Sequence, residues 1–369
     1  SVEIEVGALR VAEYASGRLH SEKSDTLIMK ILGNIKLSAD NLSVRHLIYK
    51  TLMNTGRKDE AETYRCIIPD SPEGRRTYEE AISAIFRENL KVGTPWVVKS
   101  VNIDFLLENA AGAETGTGIF HLASHFSNLV KVSERVTVRH RAGRGLIEIA
   151  KTLPAEQLNE IVIELMKGLE IGEYQFSKYI PEYLGEMVLY LYPGELDEFI
   201  VALSELIENT NDRIGSVALD TVGEVLKKYP SYRYRDREPD ETYHARKEKL
   251  LGMLLKGLAN YHEIVSQEAF MVIGQYIFGS SELTQDDKFD TFRSIYKKML
   301  TLVTLIDEYD MTFFTNAAAL NHIYRFISEY IFQHGGMELP EKRDIAFFPG
   351  TFDPFSLGHK GIVQAIRKE

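Results

Sequence analysis

One glycine recurs at a constant distance from four anchor positions in the middle of the chain, and this recurrence restricts the fold more than any other feature. Successive anchors are 40, 38 and 51 residues apart, and a glycine lies 17 residues after each. The anchors and their glycines are Asn128 with Gly145, Gly168 with Gly185, Leu206 with Gly223, and Gly257 with Gly274. A period near 40 residues is typical of a repeated pair of helices, because one pair alone cannot bury its apolar face.

Apolar columns share this register. The residue after each anchor is leucine or isoleucine, and the eighth residue after it is valine, phenylalanine or isoleucine. The pattern resembles HEAT-like repeats and predicts stacked antiparallel helix pairs over residues 118–281. The alternative is an ordinary helical bundle whose self-similarity arose by chance.

The rest of the chain divides around this array. Residues 1–117 carry helical apolar stripes and predict an N-terminal helical region, and residues 282–340 predict the helical end of the array and a linker. The longest repeat contains an insert, residues 231–239, where tyrosine and arginine alternate. That composition suits the stacking of nucleobases, but the acidic residues beside it favour a mobile loop.

Composition restricts the class of protein. The net charge is −11, which argues against a general nucleic-acid binder, and Cys66 is the single cysteine, which suits a reducing cytoplasm. No apolar run approaches the ~18 residues that span a membrane. The N-terminus shows neither a signal peptide nor an initiator methionine. We therefore expect a cytoplasmic protein whose chain begins inside a longer gene product or after a processed tag.

The character of the chain changes in residues 341–369. Residues 345–348 form a short apolar run that predicts a buried parallel strand, residues 350–354 a tight glycine loop, and a helix is expected from about Ser356. A helix that begins after such a loop presents unpaired backbone N–H groups to a phosphate. The segment therefore predicts the start of a nucleotide-binding α/β domain.

This segment resembles the nucleotidyltransferase superfamily. The family signature is G-[ST]-F-D-P-x-[HT]-x-G-H, and residues 350–359 read G-T-F-D-P-F-S-L-G-H. Phosphopantetheine adenylyltransferase is the most similar branch, and nicotinate-mononucleotide adenylyltransferases and cytidylyltransferases are close alternatives. The resemblance implies transfer of AMP or CMP from a nucleoside triphosphate to a phosphate-bearing small molecule, with release of pyrophosphate and with Mg²⁺ carried by the triphosphate.

The resemblance also implies roles for single residues. It makes His359 and Ser356 catalytic, with His359 donating to the phosphate oxygens as charge develops. It assigns contacts with nucleotide or phosphate to Gly350, Thr351, Phe352, Asp353 and Gly358. The predicted fold class is therefore mostly α, a HEAT-like solenoid followed by the first strand, loop and helix of a Rossmann-like transferase domain.

Two departures from the family open alternatives. Ser356 stands where the family has histidine or threonine, so it is either a functional donor or only the helix N-cap. The family's second phosphate motif, Ser/Thr–Arg, does not occur earlier in the chain, and a single strand cannot form a sheet. We expect the chain alone to be inactive. We also expect the transferase to be fused to a helical-repeat interaction module that offers a surface to a protein partner. The alternative is a helical-repeat scaffold whose transferase-like segment is degenerate or not catalytic; the same histidine would then be an exposed first-turn residue.

Two weaker clusters lie in the first repeat. Arg135, Arg139, Arg141 and Arg144 predict a surface patch for an anion or a partner, or else a solvated face paired with carboxylates. His121 and His125 lie one helical turn apart in columns that are apolar in other repeats. We therefore expect them to be structural, and we predict no metal site.

Overall fold

The computed structural model describes residues 1–35, 41–66, 71–109, 116–171, 173–209, 211–281, 283–334 and 356–366. Every regular element in these ranges is helical and no strand occurs in them, which confirms a mostly α chain. The predicted strand at 345–348 and the phosphate loop at 350–354 lie outside the described residues. None of the described helices is long and apolar enough to cross a membrane.

The chain divides into two compact units, Ser1–Leu165 and Met166–Glu369. The boundary falls within α9 (Ala155–Ile171). The boundaries that we predicted at residues 117, 281 and 340 remain predictions.

The first unit is built from eight helices and the start of α9. An apolar cluster joins α1, α3 and α6 through Leu9, Leu47 and Val101. The helices are α1 (Val2–Ser16), α2 (Glu22–Asn34), α3 (Leu42–Asn54), α4 (Lys58–Glu62), α5 (Pro72–Leu90), α6 (Trp96–Asn109), α7 (Gly116–Val132) and α8 (Val136–Ala150).

A buried polar chain crosses this unit. The Asn89 side chain donates to Nε2 of His125 over 3.1 Å, and Asn102 donates to Oδ1 of Asn89 over 3.0 Å. The His125 ring also stacks on Phe86 at 4.2 Å and is only 5% exposed. Because Nε2 accepts a hydrogen bond, His125 is neutral, and burial lowers its pKa to about 4. This histidine is structural, as predicted.

The second unit contains the remaining helices. Short 3₁₀ turns at Val188–Tyr190, Tyr229–Ser231 and Arg235–Arg237 and a π-helical turn at Ile273–Phe278 interrupt them. The helices are α10 (Tyr174–Ser177), α11 (Ile180–Met187), α12 (Pro193–Ile207), α13 (Asp212–Lys228), α14 (Asp240–Leu258), α15 (Glu263–Val272), α16 (Gln285–Leu305), α17 (Phe313–His334) and α18 (Leu357–Ile366).

Helix α13 is central to this unit because α11 and α15 pack on its two sides. Two of the recurring glycines allow α13 to approach its neighbours closely. A Cβ atom on Gly185 of α11 would lie 2.6 Å from Cβ of Glu224, and one on Gly223 of α13 would lie 2.5 Å from the Tyr276 ring. Any larger side chain would push the helices apart.

Helices α13 and α15 run in the same direction. Ser216 near the start of α13 donates to Glu268 over 3.2 Å, and Glu224 two turns later accepts from Tyr276 over 2.6 Å. Residue numbers at the two contacts increase by eight along both segments, so the two helices are parallel. Tyr276 lies in the π-helical turn that extends α15.

Candidate functional site

The start of α18 holds the two residues for which we predicted catalytic roles. Ser356 immediately precedes Leu357–Ile366, and its backbone N–H donates to Nδ1 of His359 over 3.1 Å. Its Oγ lies 3.0 Å from the same nitrogen and accepts from the backbone N–H of His359 over 3.5 Å. These reciprocal bonds form a capping box in which histidine occupies the position usual for glutamate or glutamine.

This geometry determines the tautomer of the imidazole. A backbone N–H can only donate, so Nδ1 of His359 must accept, and the proton of the neutral ring lies on Nε2. Nε2 is therefore the nitrogen that can donate to a phosphate oxygen. The local fold gives His359 the donor that the predicted chemistry requires.

Ser356 and Gly358 complete the described part of the motif. The long 3.5 Å bond from the His359 backbone makes the capping contact of Ser356 weak, and its hydroxyl lies closer to the imidazole. A Cβ atom on Gly358 would meet only Oγ of Ser356, at 3.6 Å, so packing does not require a glycine there. The predicted phosphate-binding residues Gly350, Thr351, Phe352 and Asp353 lie outside the described residues.

The arginine patch predicted on the first repeat is not one surface. Arg139 is only 2% exposed, and its guanidinium donates to the carbonyl of Ser133. Arg141 donates through two nitrogens to the carboxylate of Asp104 on α6. Arg135 and Arg144 are exposed. The prediction of a continuous patch is corrected for a physical reason: packing against neighbouring elements uses the guanidinium groups of Arg139 and Arg141.

Asp104 neutralises part of the positive charge of this cluster. It accepts from Arg10 of α1 as well as from Arg141 of α8, so one half-buried carboxylate joins three helices. Arginine suits such a site because its planar fork matches two carboxylate oxygens. The sequence shows a cluster of arginines. It does not show that Asp104, which lies 37 residues before Arg141, is the partner of two arginines.

The insert of residues 231–239, which we predicted to be a mobile loop, contacts neighbouring segments through Tyr232 and Glu238; its mobility remains a prediction. Arg246 of α14, with a side chain only 3% exposed, donates to Asp197 over 2.7 Å and to Glu238 over 2.6 Å. We call this group of three residues the Arg246 clasp. The Tyr232 hydroxyl donates to the carbonyl of Leu191 over 3.1 Å.

Sequence reasoning also missed an acidic cluster between α13 and α15. Burial, together with the nearby Glu268 and Glu224, raises the pKa of Asp220 to about 7. Ser216, Asp220 and Glu224 lie four residues apart on one face of α13, and this spacing was the available signal. No group of three or more His, Cys, Asp or Glu residues arranged to hold a metal ion occurs within the described ranges.

Comparisons with known proteins identify no family for this chain. No protein-family model matches the chain, and no curated protein matches it. A solved crystal structure of an engineered protein aligns with 66% of this chain and 97% of its own, at 17% identity and a TM-score of 0.28. A TM-score this low supports no argument about fold or function, so any functional conclusion must come from the residues themselves.

Proposed function

We propose that this chain belongs to a nucleotidyltransferase that transfers AMP or CMP from a nucleoside triphosphate to a phosphate-bearing small molecule and releases pyrophosphate. The observation that carries the proposal is the pairing of Ser356 and His359 at the start of α18. The motif in residues 350–359 implies a donor histidine at this helix start. The hydrogen bonds of His359 place its proton on Nε2, where a donor is useful.

The chemistry needs little more than position and charge. The acceptor phosphate attacks the α-phosphorus, the bond to the bridging oxygen of pyrophosphate breaks, and the extra negative charge spreads over the phosphate oxygens. A donor fixed before the reaction stabilises this charge more than it stabilises the bound substrate. His359 is the proposed donor, and the first N–H groups of α18 add positive potential. Mg²⁺ arrives with the triphosphate.

We further propose that the helices of the second unit belong to a HEAT-like array that presents a surface to a protein partner. Gly185 and Gly223 occupy one repeat column. Gly185 lies against Glu224 of α13 and Gly223 lies against Val272 of α15, whereas Gly274 in the same column has nothing within 4 Å of a Cβ position. The shared direction of α13 and α15 is that of the second helices of successive repeats. This supports the repeat register over chance self-similarity.

Pyrophosphate release tests the proposed reaction. The full-length protein is incubated with ATP or CTP and with phosphate-bearing acceptors, including phosphopantetheine and nicotinate mononucleotide. Release should depend on both nucleotide and acceptor, and His359→Ala should reduce it strongly. A folded protein that releases no pyrophosphate with any pair would leave a helical-repeat scaffold as the better interpretation, because the helical array does not depend on the transferase segment.

A further inference from the structure

A pair of tyrosine rings lies on the surface of the second unit with arginines beside it. Tyr192, which precedes α12, is 50% exposed, and its ring centre lies 5.3 Å from that of Tyr234 in the insert. The guanidinium carbons of Arg233 and Arg237 lie 5.9 and 5.5 Å from the Tyr234 ring centre. We call these four residues the tyrosine shelf.

Buried contacts of the insert fix the position of the tyrosine shelf. The Arg246 clasp links the insert to α12, and the backbone N–H of Arg233 donates to the carbonyl of Leu189 over 3.1 Å. Buried Tyr229 stacks on Tyr243 at 4.6 Å with nearly parallel rings. The rings and guanidinium groups are thus positioned before any ligand arrives, which lowers the entropy that binding must overcome.

The tyrosine shelf carries a positive charge, although the insert contains both arginines and carboxylates. Arg235 is paired with Asp240 over 2.7 Å, and the clasp neutralises Arg246. Arg233 and Arg237 are exposed and contact the Tyr234 ring, with no carboxylate partner in the part of the chain that the structure describes. Asp236 is the exposed acid between them. Two guanidinium groups therefore face solvent beside two aromatic rings.

We propose that the tyrosine shelf binds a nucleotide unit, with the base stacked on the exposed ring of Tyr192, beside the Tyr234 ring that is inclined to it by 43°, and the phosphate at Arg233 and Arg237. An acidic peptide would use the arginines but not the rings, and an apolar peptide would use the rings but not the arginines; a nucleotide uses both. Inserts in helical repeats commonly lie on the binding face. A free nucleotide and a single-stranded nucleic acid offer the same chemistry. This site is separate from the proposed transferase site.

Binding of a fluorescein-labelled uridine decamer to the full chain, followed by anisotropy, tests the proposal. Arg233→Gln with Arg237→Gln should weaken binding about tenfold and make the slope of log K against log salt shallower by about 1.4, because two phosphate contacts are lost. Tyr192→Leu should weaken it about tenfold through lost stacking. The control, Lys249→Gln with Lys297→Gln, removes the same charge from exposed lysines of this unit and should change neither quantity.

Competitors separate the sources of the ligand. Displacement by AMP at the same concentration of nucleotide units indicates a free nucleotide, and displacement only by unlabelled decamer indicates a strand. The proposal is overturned if inorganic phosphate or polyglutamate displaces the labelled decamer at the concentration at which AMP or the unlabelled decamer does, if the lysine control loses as much affinity as the arginine variant, or if no binding occurs. His359→Ala should leave decamer binding unchanged, so failure here and failure of the transferase proposal are distinguishable.

Discussion

His359 combines a structural task with a proposed chemical one, and substitution can separate them. His359→Gln should preserve the capping box, because glutamine is a usual residue at that position. It should lower kcat less than removal of the side chain does, since the amide NH2 can still donate to the phosphate but is not placed as the imidazole N–H is. The measurement is pyrophosphate release by the full-length protein, with hydrogen exchange in residues 356–366 as the test of the helix start.

His359→Ala supplies the comparison, since it removes both the donor and the cap. It should lower kcat about 100-fold, more than His359→Gln does, and also speed hydrogen exchange at the start of α18. Ser356→Ala should cost the helix about 0.5 kcal/mol, the low end for an N-cap because its capping bond is long, with a smaller kinetic effect. Normal turnover in His359→Ala would show that the motif is inherited without function.

Asp220 gives the second unit a pH dependence that one substitution should remove. Its pKa is raised from 3.8 to about 7, so the folded protein holds a proton that the unfolded chain releases. Stability is therefore lost progressively as pH rises from about 4 to 7, by roughly 2–4 kcal/mol in total. Asp220→Asn should stabilise the protein by an amount that grows over this range and is constant above it.

Chemical denaturation at several pH values measures this gain, with exposed Glu205→Gln of α12 as the matched neutralisation. A gain that is independent of pH, or equal in the control, would show that Asp220 is ionised in the folded state throughout the range.

Single residues also show how far sequence reasoning reached. The repeat register correctly put His125 in the interior, because the column around it is apolar in other repeats. The same register predicted that His121 points toward the core or an end cap, and it is exposed. Burial of Arg139 was not predictable, since it depends on a carbonyl acceptor whose position only the folded chain determines.

The recurring glycines have their effect at the scale of the element. Gly185→Ala should destabilise the second unit by about 1–3 kcal/mol, because the new methyl would meet Cβ and the backbone of Glu224 on α13. Gly252→Ala in α14 meets no atom within 4 Å and should stabilise by up to ~1 kcal/mol through helix propensity. Thermal unfolding of both variants provides the measurement. A Gly185 variant as stable as the parent would mean that α11 and α13 are not closely packed.

Helices were predictable from the sequence where their apolar columns repeat, as in α12 and α13, because periodicity alone reports them. The insert was not, since its packing depends on Arg246, Asp197 and Glu238, which lie far apart in the chain. Of the candidate site, the sequence indicated the residues at the start of α18 and their shared face. It did not indicate the bond from the Ser356 backbone that selects the imidazole tautomer.

At the scale of the whole molecule, the two units should respond to pH in opposite directions. His125 has a pKa lowered from 6.5 to about 4, so its unit is fully stabilised above pH 6.5 and loses stability as pH falls toward 4. Asp220 makes its unit less stable as pH rises over much of the same range. As the pH rises from 4.5 to 6.5, we expect the first unit to gain stability and the second unit to lose it.

Two local probes can follow the units separately. Trp96 is the single tryptophan and lies in the first unit, so its fluorescence reports unfolding there. Hydrogen exchange in α13, corrected for the intrinsic effect of pH, reports the second unit. Changes of the same sign in both probes would contradict the expectation.

The Arg246 clasp has a consequence for engineering. The charges that hold the insert come from α12, from the insert itself and from α14, so the anchoring set is confined to residues 189–246. A segment that carries its own anchors can be transplanted as a cassette, with both flanking helices, into a consensus array of helical repeats. The same confinement predicts that loop residues at 233–237 can be randomised as a library without loss of the scaffold, provided that Arg246 and its two carboxylates are kept.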